Sequence, residues 1–209
     1  MIKTDTEQTI KFFEESQRIV IIDKGRKELL SEIATKIASI YQSEKTVALN
    51  FICTHNSRRS QIGQVWTFFA SHYFNLNIAA YSGGTEVTAF HRNTVRTLKS
   101  VGFTFKVKEF SHQNPIYRIS FEGSDDFILG FSKIYDHKIN KAPYIAITTC
   151  DSADENCPFI SEASFRFHLP YTDPKHSDNT EKKEEVYLAT SREIAAQLYF
   201  LFESVKSRI

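Results

Sequence analysis

Apolar side chains recur along this chain with two different periods. Leu29, Leu30, Ile33, Ile37, Ile40 and Tyr41 return every three or four positions with charged residues between them, which predicts an amphipathic helix. Residues 1–45 read as helical, with a shorter helix at 6–17 before the main one. The period then changes: residues 47–52 form a short, mostly apolar run, the mark of a buried strand. A helix is expected over 60–73, a second strand over 78–81 running into a Ser82-Gly83-Gly84 turn, and a helix over 93–101 stopped by Gly102. Residues 116–132 alternate around Glu122-Gly123-Ser124-Asp125 and predict a β-hairpin. Two further core strands follow at 142–149, ending at Cys150, and at 165–169, ending before Pro170-Tyr171-Thr172-Asp173-Pro174. An amphipathic helix over 182–206 closes the chain.

Strands alternating with helices predict an α/β fold, a central parallel four-stranded sheet with helices on both faces. At 209 residues the chain is long enough for one domain with a substantial core and short for two. Composition narrows the function classes. Lysine plus arginine (26) nearly balance aspartate plus glutamate (25), so no global basic field argues for nucleic acid. No signal-peptide core and no run near ~18 apolar residues is present, so the expectation is a cytoplasmic protein with no membrane partner. Three cysteines, Cys53, Cys150 and Cys157, are too few and too odd in number for a disulfide scaffold. They are either buried small apolar residues or reactive groups.

In an open parallel sheet, ligands bind beyond the carboxyl ends of the strands. Three of the predicted strands end at or near a candidate reactive group: Cys53, Cys150 and Asp173. Cys53-Thr54-His55-Asn56-Ser57-Arg58-Arg59-Ser60 lies between a buried strand and a helix. A loop of this length can wrap its backbone N–H groups around one anion, and the helix N-terminus adds partial positive charge. Arg59 offers a planar fork to two oxygens. The same field favours a cysteine as its nucleophilic thiolate, to which Ser60 can donate a hydrogen bond. Asn56 suits a left-handed backbone position. The alternative, a buried cysteine before an ordinary helix with surface arginines, fits the residue types but not their joint placement.

The segment CTHNSRRSQ resembles the loop of low-molecular-weight phosphotyrosine phosphatases and of the thioredoxin-coupled arsenate reductases that share their fold. SGGTE at 82–86 resembles the turn after the family's second strand, CDSADENCP at 150–158 the redox segment of the arsenate reductases, and Asp173-Pro174 the acid loop. The resemblance covers about residues 46–113 and 142–207. It implies a catalytic domain at 46–209, a helical extension at 1–45 packed on it, and the 116–132 hairpin as an insertion. It further implies Cys53 as nucleophile, Arg59 as oxyanion binder, Ser60 as thiolate stabiliser, Asn56 as loop organiser and Asp173 as general acid. Two positions depart from the family: His55 stands where glycine is usual, and Arg58 near where a second cysteine is often found. His55 is expected either to narrow the anion site or to add positive charge near the thiolate. Gln64 stands where some arsenate reductases carry a glutamate associated with potassium binding, so no metal is predicted.

Two chemistries follow from this resemblance. A phosphatase needs only Cys53, Arg59 and Asp173, with a phosphocysteine hydrolysed by water. In the arsenate reductases the first cysteine forms an arsenic adduct, the second releases arsenite as a disulfide forms, and the third resolves that disulfide to one that thioredoxin reduces. All three cysteines stand at matching positions, so thiol-dependent arsenate reduction is the favoured reading. It needs no tightly bound cofactor and takes an external dithiol such as thioredoxin as partner. Phosphatases of this group follow Asp-Pro with an aromatic residue, whereas Lys175 follows here; Tyr171 or the hairpin is the remaining candidate for an aromatic wall. A phosphate-binding module without turnover is a third reading, against which an intact Cys53, Arg59 and Asp173 argue. Cys150 and Cys157 are seven apart, about 10 Å in a regular helix, whereas a disulfide needs roughly 4.4–6.8 Å between Cα atoms. Their segment is therefore expected to be a loop or to unwind on oxidation.

Overall fold

The computed structural model describes residues 6–156 and 159–209. Four parallel strands form the main sheet: β1 (Val47–Cys53), β2 (Ile78–Gly84), β6 (Tyr144–Thr148) and β7 (Ala163–His168), in the order β2-β1-β6-β7. The apolar runs at 47–52 and 142–149 are the two central strands, and every residue of β6 is buried. This is the predicted α/β architecture, with ends shifted by a few residues.

Alternate residues of the strands serve two cores. Leu49 and Phe51 of β1 with Ile145 and Ile147 of β6 face α2 (Lys24–Glu44), α3 (Arg59–Tyr73) and α6 (Lys183–Lys206). On the other face Ile52, Tyr144 and Ala146 pack with Cys53 at the strand end, with Cys150 and with Ala153 of the short helix α5 (Asp151–Asn156). Helices thus cover both faces, unequally. The first helix, α1 (Thr6–Ile19), lies on α6, and its Phe12 and Phe13 stack on Trp66 of α3 at 5.5 and 5.6 Å between ring centres. Arg26 of α2 donates to Gln197 of α6 and to the Pro170 carbonyl, and lies over the Tyr171 ring.

The structure differs from expectation in three places. The hairpin of β4 (Ile116–Phe121) and β5 (Ile128–Gly130) is joined by β3 (Phe103–Glu109) into a three-stranded antiparallel sheet. Phe103, Phe105 and Val107 alternate with polar residues, the ordinary pattern of a half-buried strand. Ser82-Gly83-Gly84 is the last part of β2, not a turn. A Cβ on Gly84 would lie 2.7 Å from the Thr54 carbonyl oxygen and 2.8 Å from the Asn56 nitrogen, so a side chain there would displace the loop after β1. The third difference is α5, helical where a loop was an expected form. Among the described residues, no helix is long and apolar enough to cross a membrane. The remaining helix, α4 (Arg92–Ser100), follows β2 and packs on α6 and β3.

Candidate active site

Strand β1 delivers Cys53 to the carboxyl edge of the sheet, where it is buried, and α3 begins six residues later. The Cys53 Sγ lies 3.0 Å from Ser60 Oγ. Asn56 has a φ of 46°, the left-handed conformation expected of it, and its Nδ2 donates to Ser60 Oγ at 2.9 Å. Since Ser60 Oγ accepts that bond, its own hydrogen is free to point at the sulfur. Gln61 Nε2 in turn donates to the Asn56 backbone oxygen, to Asn56 Oδ1 and to the Phe131 carbonyl. The segment after β2 stitches down the other side: Thr85 N donates to the Cys53 carbonyl and Glu86 N to that of Thr54. The loop is thus held on both flanks before any ligand arrives.

Arg59, at the first position of α3, reaches across to the ends of the other strands. Its Nη1 donates to the Tyr171 carbonyl at 2.9 Å and to the Thr149 carbonyl at 3.4 Å, and its Nη2 to Asp173 Oδ2 at 2.6 Å. Arg59 Nε is buried without a hydrogen-bond partner. Asp173 Oδ1 accepts from Lys175 N at 3.0 Å, capping a 3₁₀ turn at Pro174–Ser177. Arg59 and Asp173 are therefore brought together, and the Nε–Nη2 edge of the guanidinium carries an unused donor beside one held by a displaceable carboxylate.

The other loop residues divide by direction. Arg58, expected among the oxyanion-binding residues, turns its side chain away: Nε donates to Tyr187 Oη and Nη2 to Asp178 Oδ2, both at 2.6 Å. Tyr187 Oη also donates to Asp178 Oδ1 and lies 3.1 Å from His91 Nδ1. Burial alone would raise the Asp178 carboxyl, but the Tyr187 hydroxyl and the Arg58 cation outweigh it and hold the group below the usual carboxylate range. Burial and Arg58 together push His91 below the ordinary imidazole value. This network pins the loop to α4 and α6, so the Arg58 charge is spent on structure. His55 faces outward, 42% exposed at the side chain and 3.4 Å from Glu86, so it does not narrow the loop. Ser57 Oγ donates to the Ala89 carbonyl.

Cys150 is buried at the end of β6, its Sγ 3.6 Å from Thr54 Oγ1, the residue next to Cys53. Cys157 lies outside the described residues. Between them α5 is anchored through Asp154, which accepts from Thr148 Oγ1 at 2.6 Å and pairs with Arg166 and His168 of β7. Asp151 pairs with His168 at 3.1 Å. Burial works to raise Asp154, but the Thr148 hydroxyl, His168 and Arg166 together hold it below the usual carboxylate range. Tyr171, a candidate aromatic wall, is buried beneath Arg26 and does not face the loop opening. A pocket of about 330 Å³ beside the loop is lined by His55, Ser57, Arg58, Thr88, His91 and Lys175, with no Phe, Tyr or Trp in its wall among the described residues.

No protein-family model matches the chain. It is 27% identical over 143 residues to the arsenate reductase of Bacillus subtilis (strain 168), covering 68% of this chain and 85% of that one. With the arsenate reductase of Brevibacillus brevis it shares 31% identity over 134 residues, 64% of this chain and 79% of that one. Among solved structures, the low molecular weight protein tyrosine phosphatase from T. tengcongensis superposes with a TM-score of 0.52 at 17% identity, covering 75% of this chain and 98% of that one, a likeness of fold.

Proposed function

The chain belongs to the family of arsenate reductases that share the low-molecular-weight phosphotyrosine phosphatase fold, and from that premise we propose that it reduces arsenate to arsenite through a relay of its three thiols. The observation that favours reduction over phosphate-ester hydrolysis is the position of Cys150. A second buried, free thiol meets the hydroxyl of Thr54, one residue from the nucleophile. Phosphoryl transfer has no use for it.

Arsenate sits on the loop, its oxygens facing the backbone N–H groups and the Nε–Nη2 edge of Arg59 as Asp173 is displaced from Nη2. Cys53, hydrogen-bonded by Ser60, attacks arsenic. Asp173, freed from Arg59, takes up a proton that arsenate brings as its monoanion; the arsenic–oxygen bond then breaks, and the departing hydroxyl receives that proton and leaves as water. Cys150, as thiolate, then attacks Cys53 Sγ; the sulfur–arsenic electron pair passes to arsenic, which leaves as arsenite while a Cys53–Cys150 disulfide forms. Cys157 attacks Cys150 Sγ, returning Cys53 as thiolate and leaving a Cys150–Cys157 disulfide. An external dithiol of the thioredoxin type supplies the two electrons that reopen it.

The test is arsenite release and thiol mapping with a thioredoxin system. Cys53→Ser abolishes turnover. Cys150→Ser releases no arsenite, whereas Cys157→Ser completes one turnover and traps a Cys53–Cys150 disulfide visible by mass spectrometry without reductant. Hydrolysis of an aryl phosphate, if present, survives both distal changes. Turnover of phosphate esters with no arsenate-dependent disulfide in the wild type replaces this reading with the phosphatase one.

A further inference from the structure

The mechanism above makes no use of one buried cation. Lys133 is 2% exposed, and among the described residues no aspartate or glutamate forms an ion pair with it. Its Nζ lies 3.4 Å from Ser82 Oγ and 4.8 Å from the centre of the Phe131 ring. Ser82 Oγ gives its hydrogen to Gln64 Oε1 at 2.6 Å, so its lone pair is turned to the amine. Burying a lysine without a carboxylate is unfavourable in either charge state unless something nearby compensates the ammonium. Burial alone pushes this group down from the ordinary lysine value to about 7.

The backbone of the same residue is part of the nucleophile loop's support. Lys133 N donates to Asn56 Oδ1 at 3.0 Å, and its carbonyl accepts from Gly84 N at 2.9 Å. The first bond fixes which way the Asn56 amide faces, and hence that its Nδ2 meets Ser60 Oγ beside Cys53. Ser82 stands two residues before Gly84 on β2, where a Cβ would lie 2.8 Å from the Asn56 nitrogen. At about 3.3 Å per strand residue the ammonium is therefore on the order of 10 Å behind the anion loop.

We propose that Lys133 is a positioning residue of the Cys53 loop and the internal counter-charge to the oxyanion bound there, so that protonation of Lys133 and oxyanion binding favour each other. The proposal rests on the reading of Cys53–Ser60 as an oxyanion loop. At about 10 Å and an effective dielectric near 20, each unit of bound negative charge favours the protonated amine roughly tenfold. Reciprocally, protonation tightens anion binding by the same factor. Other titratable groups face the site and have to be separated from it. His137 packs its ring against Phe131 at 5.4 Å, and burial together with Lys133 and Lys138 pushes it down, opposed by Asp136. Tyr81 and Lys141 line, with Lys133, Gln64, Leu129 and Asn140, a pocket of about 280 Å³.

The experiment uses sulfate, a tetrahedral oxyanion whose charge is constant between about pH 5 and pH 9, and the Cys53→Ser protein, in which no nucleophile thiol titrates. Calorimetry at pH 6, 7.5 and 8.5, repeated in buffers of different ionisation enthalpy, reads both affinity and protons taken up. Sulfate is expected to bind at least tenfold more tightly at pH 6 than at pH 8.5, with net proton uptake at pH 7.5. Lys133→Met in this background loses the uptake and binds weakly at every pH. Lys133→Arg keeps tight binding and loses its pH dependence, because the guanidinium does not deprotonate. His137→Gln retains the uptake. Unchanged uptake in Lys133→Met, its loss in His137→Gln, or no uptake at all in Cys53→Ser would overturn the proposal, the last without depending on whether the lysine variants fold. No sulfate binding at any pH removes the oxyanion-loop reading and the proposal with it, which distinguishes the two failures.

Discussion

We predict that formation of a Cys150–Cys157 disulfide unwinds α5. Residues seven apart in a helix are separated by about 10 Å, beyond the reach of a disulfide. Whatever anchors α5 therefore stabilises only the reduced form, and removing an anchor favours oxidation. Asp154 is the main anchor, with its bonds to Thr148, Arg166 and His168. The Thr148 hydrogen bond contributes about 1 kcal/mol. Each ion pair, about a third exposed, contributes roughly 0.5 kcal/mol. In Asp154→Ala the better helix propensity of alanine offsets about 0.5 kcal/mol of the loss. The reduced form is then about 1.5 kcal/mol less favourable, which for a two-electron couple is about 30 mV toward more negative potential. The carboxyl is held below its ordinary range, so its contribution is complete above about pH 4 and is lost only as pH falls through the lowered folded value. Between pH 6 and 8 the carboxylate side of the anchor is thus constant. The assay is equilibration of Cys53→Ser, with and without Asp154→Ala, against graded dithiothreitol buffers, followed by alkylation and mass analysis. A potential that stays put or moves to a less negative value would refute the claim that α5 must give way.

Two further outcomes follow from the same contacts. Arg59→Lys keeps the charge but loses the edge that offers Nε beside Nη2, and lysine cannot also hold the Tyr171 and Thr149 carbonyls; turnover is expected to fall at least a hundredfold while the variant still unfolds cooperatively at a somewhat lower denaturation midpoint, and near-wild-type kinetics would contradict the two-oxygen role. Arg26→Ala removes the bond to the Pro170 carbonyl and the cation over Tyr171, which together steady the segment leading to Asp173; kcat is expected to drop several-fold at little change in KM, and an unaffected kcat would show that α2 does not position the acid loop.

What was legible in the sequence is what lies close together along the chain. Cys53, Asn56, Arg59 and Ser60 announce themselves because strand, loop and helix are consecutive and the spacing is short. The four sheet strands are legible from their apolar runs. The residues that hold the site from behind are not. Arg58 finds Tyr187 across 129 positions and Asp178 across 120, and Arg26 finds Pro170 across 144. No local period records such pairings, and an arginine in an anion loop is read by default as an anion ligand. Lys133 is hidden for a related reason: a lysine between Ser132 and Ile134 carries no sign that it will be buried. No local signal marks the helix at 151–156, since Thr148 and Arg166 on neighbouring strands supply the partners that stabilise it.

The two halves of the proposed chemistry ask opposite things of the backbone, and the contacts divide accordingly. Binding and attacking an oxyanion needs donors already in place, since reorganisation at the moment of reaction would forfeit much of their effect. The Cys53 loop meets that demand: Asn56, Ser57 and Ser60 are buried, Gln61 and Lys133 fix the Asn56 amide, and Gly84 lets β2 press directly on the loop. Passing oxidation from Cys53 to Cys150 and on to Cys157 instead requires a sulfur to travel. The α5 segment suits that: six residues long, with Asp151 and Asp154 held by solvent-accessible pairs to β7 and only Ala153 fully buried among its described side chains. A helix so short has little stability of its own. It persists through a few tertiary contacts worth a few kcal/mol, a quantity comparable to what one thiol–disulfide exchange can supply.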